Sequence, residues 1–149
     1  MAAINLANGA VTGPANGNYT TTPITPGANR LILLSLNSHS EINTPPDPAV
    51  SGCGLTWVKV TNVVVIANRR NLHVYRSMGA SPSTGGITVN YNDDTVDRCD
   101  WSIDEFDNVD TTGADGAGAI VQSNTNTVNA TSITVTLNAF GSPKNRPYT

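Results

Sequence analysis

From Tyr19 onward, short apolar or alternating runs rich in β-branched residues recur roughly every ten residues, with turn chemistry between them. This pattern constrains the fold more than any other feature. Tyr19-Thr-Thr-Thr, followed by Pro23 and Pro26-Gly27, suits an edge strand and a turn. Arg30-Leu-Ile-Leu-Leu-Ser-Leu is almost continuously apolar and reads as a central strand, and Thr56 to Ile66 as a long one, bulged or turned near Asn62. Asn71 to Met78 places Leu72, Val74 and Met78 on one face and His73 and Tyr75 on the other. Gly86 to Tyr91 groups Ile87, Val89 and Tyr91. Arg98 to Phe106 turns Cys99, Trp101 and Ile103 inward and Asp100, Ser102 and Asp104 outward, with Glu105-Phe106 breaking step as a bulge would. Ala119 to Ser123 and Ser132 to Asn138 complete the set, the last with Ile133, Val135 and Leu137 inward. The expectation is an all-β chain: an antiparallel two-sheet β-sandwich of jelly-roll or Greek-key type.

Composition agrees. Only 13% of the 149 residues are charged, about half the usual share of roughly 25%. Good helix formers are scarce, while Thr, Val, Asn, 13 Gly and 9 Pro abound, which excludes a helical protein. Eight basic residues against eleven acidic ones leave no basic footprint for a nucleic-acid backbone. No run approaches the roughly 18 apolar residues of a membrane helix, and the N-terminus lacks the basic and apolar regions of an export signal. The expected partners therefore include neither nucleic acid nor membrane. Cys53 and Cys99 are too few for a disulfide scaffold and read as two small buried hydrophobes, with a single bridge left open.

Residues 1–18 form a distinct segment, rich in Ala, Asn and Gly, with Ile4, Leu6 and Val11 as sparse apolar points. Such a segment cannot build a core alone, so it reads as an extended N-terminal arm laid on a neighbour, ahead of a β-sandwich domain over 19–149. Ile4, Leu6, Val11 and Tyr19 are then the candidate assembly contacts.

Signatures of chemistry are missing in turn. His39 lies between Ser38 and Ser40, but no Gly-x-Ser-x-Gly elbow accompanies it. His39 and His73 are the only histidines and form no zinc-ligand pattern, and Gly79-Ala-Ser-Pro-Ser-Thr-Gly-Gly lacks the Lys of a phosphate-binding loop. Asp104 and Glu105 point to opposite faces of a strand and cannot act as paired carboxylates. Asn90, Asn92, Asp93, Asp94 and Asp97, and beyond them Asp104, Asp107, Asp110 and Asp115, gather oxygens that a hard cation could use, but in no EF-hand order. No catalytic residue, metal or cofactor is expected. In a carbohydrate-binding alternative, Trp57 and Tyr75 would stack on a sugar beside Asp93 and Asp94, whereas Trp101 and Tyr91 read as core.

The segments Gly54-Leu-Thr-Trp-Val-Lys-Val, Asn68-Arg-Arg-Asn-Leu-His-Val-Tyr-Arg-Ser-Met-Gly-Ala-Ser-Pro-Ser and Cys99-Asp-Trp-Ser-Ile-Asp-Glu-Phe-Asp-Asn-Val-Asp-Thr resemble a β-sandwich domain of phage virion and microbial surface proteins. In particular, roughly residues 28–140 resemble the jelly-roll decoration, or cement, proteins of tailed-phage heads. The resemblance implies a non-enzymatic virion protein, made in the host cytoplasm and bound to the major capsid protein on the capsid surface as a homotrimer. Domains of this kind often continue with another strand after a segment like Asn138-Ala-Phe-Gly-Ser, so the resemblance implies a last strand supplied elsewhere or a smaller sandwich. The alternative function is a carbohydrate- or cell-surface-binding module of a tail fibre or bacterial surface protein.

Overall fold

The computed structural model describes residues 2–12, 17–65, 69–93, 95–128, 130–142, 145, 147 and 148; Ile66, Asn68 and Asp94, named above, lie outside that set. Eight strands run in chain order: β1 Ala3–Thr12, β2 Asn18–Thr20, β3 Leu31–Ser40, β4 Ala49–Gly52, β5 Val58–Val65, β6 Arg70–Ser77, β7 Ile87–Asn90 and β8 Val96–Phe106. Helical geometry among the described residues is confined to a kinked 3-10 segment at Ala114–Ala119. The protein is all-β. Five strands form one antiparallel sheet in the order β1-β8-β3-β6-β5, and three form a second in the order β2-β7-β4.

Alternation decides which residues meet between the sheets. Ile32, Leu34 and Leu36 of β3, Cys99, Trp101 and Ile103 of β8, and Tyr19, Ile87 and Val89 of the small sheet share one buried cluster. Directly paired residues of adjacent strands present the same face. Leu34 pairs with Tyr75 and Leu36 with His73, so β6 turns His73 and Tyr75 inward and leaves Leu72 exposed on the outer face. The paired strand, rather than side-chain polarity, sets this orientation. Leu31, Leu33, Met78 and Phe106 form a smaller cluster with Val74, Val109, Ala119 and Ile120 packed on it. Glu105 and Phe106 are both buried, as the break in alternation requires.

Three sequence expectations change. The N-terminal segment is extended, but the neighbour it lies on is its own chain: β1 pairs with β8 from Ala3↔Phe106 to Thr12↔Arg98. Leu6 and Val11 pack against the main core, and Gly9 faces Trp101 so closely that a Cβ would stand 2.5 Å from the indole Cζ2. Tyr19 is core, not surface: it is 2% exposed and its hydroxyl donates to Val96 O at 2.7 Å.

Ala119 to Ser123 and Ser132 to Asn138 are not strands, and Ile133 and Val135, expected inward, are 54% and 47% exposed. Here the amide side chains take the place of a ladder. Gln122 exchanges two hydrogen bonds with the Asn138 backbone, Asn124 Nδ2 donates to Thr136 O at 2.7 Å, and Asn126 Nδ2 to Thr134 O at 2.8 Å. Residues 122–126 and 134–138 thus lie antiparallel as two extended legs, with no backbone-to-backbone bond between their described residues. Beyond them the chain returns to the large sheet, where Tyr148 donates to Asp104 Oδ2 at 2.7 Å and meets Phe106 edge-on.

Candidate functional site

Polar side chains concentrate first along the inward face of β6. Asn71, His73, Tyr75 and Ser77 occupy alternate positions and are all buried. Their partners explain them. The connection from β3 to β4 contains Pro45-Pro-Asp-Pro, whose prolines carry no N–H and offer only carbonyls. Asn71 Nδ2 donates to Pro45 O at 3.0 Å and the Tyr75 hydroxyl to Pro48 O at 2.8 Å; His73 Nε2 is 3.0 Å from Asp47 Oδ1, and Lys59 closes on the other carboxylate oxygen. The stripe therefore clasps a segment of its own chain, its side-chain donors meeting proline-segment carbonyl acceptors that lie far away in sequence.

Electrostatics follow the same geometry. Lys59 and His73 together hold the Asp47 carboxyl below its usual range. Burial pushes the Tyr75 hydroxyl up to about 12 and holds the His73 imidazole below its ordinary value, against the opposing pull of Asp47. His73 Nδ1 is buried with no hydrogen-bond partner among the described residues, so no described hydroxyl or thiol is hydrogen-bonded to it.

A pH dependence follows. On unfolding, the ring returns to about 6.5, and below that pH the unfolded chain binds a proton that the folded chain resists. Stability therefore falls as pH drops from about 6.5 towards the lower folded value, by up to about 1.4 kcal/mol per pH unit. Urea midpoints at pH 7.5 and 5.5 check this: the wild type loses stability at the lower pH, His73→Gln loses less, and equal slopes would contradict it.

The other sequence candidates are dispersed. Ser38 Oγ donates to Asn71 O, Ser40 Oγ accepts from the backbone of Ile42 and Asn43, and His39 Nδ1 is 2.9 Å from Asp97 Oδ1, so the three neighbours on β3 serve separate partners. The carboxylates also have local partners: Asp93 accepts from Thr95, Asp110 from Thr112 N, Asp107 from Ala2 N, and Asp104 from Asn5, Ser102 and Tyr148. Among the described residues no three His, Cys, Asp or Glu side chains converge on a point where a metal could be held. Cys53 and Cys99 are buried free thiols, and burial raises both, Cys99 to about 11.

The carbohydrate constellation does not assemble. Tyr75 is 5% exposed, and half-buried Trp57 donates its indole N–H to Gly52 O, which places it at the Ile87 end of β7. Asp93 lies past the opposite end of that strand, in an open depression of about 850 Å³ with Asn18, Pro46, Asn90, Tyr91 and Thr95. Of the proposed assembly contacts, Ile4 is 50% exposed on β1. Ile42, Val64 and Leu72 are also exposed, and Val121, Val128, Ile133 and Val135 form a further exposed apolar set in and beside the two legs. No helix among the described residues is long and apolar enough to cross a membrane. No protein-family model, curated protein or solved structure matches the chain.

Proposed function

We propose that this chain is a non-enzymatic structural protein of a virion, a decoration protein that binds the outer surface of a phage head and reinforces it by bridging subunits. The observation that carries this reading is the pair of extended legs, 122–126 and 134–138, with Val121, Val128, Ile133 and Val135 exposed in and beside them. An apolar, strand-like element without a backbone partner is an attachment device, because a partner strand would satisfy its N–H and C=O groups and cover its side chains together. The attaching arm in this reading is thus the C-terminal hairpin rather than residues 1–18. Many such contacts, each modest, reinforce a shell by multiplicity.

Strand order supports a jelly-roll sandwich behind the arm. β1 pairs with β8, β2 with β7 and β3 with β6, a nested set that results when one long antiparallel hairpin is rolled up; β5 departs from it by extending the large sheet beside β6. The head surface, the major capsid protein as partner and a threefold arrangement come from the resemblance of residues 28–140 to decoration proteins. Quantitative mass spectrometry of purified source particles tests the reading. Copy numbers comparable with the major shell protein are expected, whereas a few copies at the tail, or none, would favour the carbohydrate-binding alternative, which keeps the Asp93 depression as its one support.

A further inference from the structure

Every open edge of the two sheets carries a device that discourages pairing. β1 is interrupted by a bulge at Asn5/Ala7, β5 by one at Lys59/Thr61 with a lysine on the edge, and β2 and β4 are only three and four residues long. The leg Ser132–Asn138 carries none of these. No Lys, Arg, Asp or Glu falls between Asp115 and Lys144, and Ile133, Val135 and Leu137 alternate strictly with Ser132, Thr134, Thr136 and Asn138. Natural edges of this kind are guarded because they otherwise pair with their like.

We propose that the leg Ser132–Asn138 pairs, antiparallel and edge to edge, with the same leg of a second copy of this chain, on a two-fold axis through Val135. The sequence is self-complementary about that residue. Val135 meets Val135, Ile133 meets Leu137, and Thr134 meets Thr136, so one face of the pair is wholly apolar and the other wholly hydroxyl or amide. The second copy is favoured over a foreign strand because, of the two uncharged legs, Ser132–Asn138 is the one with a strict apolar alternation, and each copy supplies the other with a match. Charge repulsion is absent from the contact although the chain as a whole carries a net charge of -3. The inference rests on the proposed reading of the hairpin as an attachment arm, and puts a second copy on a two-fold axis in place of the threefold arrangement that the resemblance implies.

The test is the mass of the purified full chain by light scattering. At least twice the monomer's 15.6 kDa is expected, halved by Val135→Lys, which restores a charged guard at a half-exposed position and leaves the far-ultraviolet circular dichroism unchanged. Register has its own readout. Paired Val135 Cα atoms would stand about 4.5–5.5 Å apart, within disulfide reach, so Val135→Cys cross-links to itself under mild oxidation. Ile133→Cys cross-links only when mixed with Leu137→Cys. A 15.6 kDa species at all concentrations, or an oligomer that Val135→Lys leaves intact, overturns the pairing. A monomer that nevertheless decorates heads overturns the pairing alone; a Val135-dependent dimer that is absent from particles upholds it and overturns the virion role alone.

Discussion

Removal of residues 2–12 lowers the stability of the two-sheet body by about 4 kcal/mol, a large fraction of the roughly 5–15 kcal/mol that a domain of this size possesses. The loss comes from two sources. Leu6, Ala7 and Val11 withdraw their cover from the main core, and Trp101, which lies against Gly9, is opened to water on one side. The backbone of β8, paired from Arg98 to Phe106 with β1, also becomes an unguarded edge beside the centre of the sheet, so the truncated chain aggregates as well as unfolding earlier. Urea denaturation of the truncated and intact chains, followed by tryptophan fluorescence, measures the difference. An unchanged midpoint would mean that β1 is a dispensable arm after all. The same argument changes how attachment is dissected: an N-terminal truncation disturbs the body itself, whereas Val135→Lys alters only the hairpin.

Glu105→Ala costs about 3 kcal/mol. Glu105 is 3% exposed and receives hydrogen bonds from Arg30 Nη1 at 2.7 Å and from Gly27 N, so one carboxylate ties the Pro26-Gly27 turn to the start of β3 and the end of β8. Breaking a fully buried ion pair costs roughly 3–5 kcal/mol, and the 40% exposure of Arg30, which lets water rescue the guanidinium, places this pair at the lower end. The half-buried Gly27 N–H then loses its acceptor. Glu105→Gln keeps an acceptor for that N–H and loses about half as much. Chemical denaturation orders the three proteins as wild type, Gln, Ala; a Gln variant no better than Ala would assign the whole effect to the charge.

What could be read in advance followed physical regularity. The alternation Cys99, Trp101, Ile103 located the core face of β8, and Ile87, Val89 and Tyr91 that of β7, because a half-buried strand imposes period two on bulk and polarity alike. β6 obeyed the same period, yet its buried side carries Asn71, His73 and Ser77, since that side must donate hydrogen bonds to a proline-rich segment of another loop and composition alone cannot reveal so remote a demand. β4 has a single large apolar residue, Val50, and exists through its pairing with β7. Ser132–Asn138 shows the reverse: a strand-like alternation with no backbone-to-backbone ladder among the described residues. The candidate ligand residues failed for a spatial reason, because Trp57 and Asp93 lie beyond opposite ends of β7, while local pattern said nothing about that distance.

A cryo-electron-microscopy reconstruction of particles from the source, with the position of this chain resolved, tests the central claim most directly. The account predicts a two-sheet body on the outer face of the head, its 121–138 hairpin reaching a neighbouring subunit and β1 folded within the body. A head surface without this density, or a body attached through the Trp57 or Asp93 regions with the hairpin free in solvent, would contradict it.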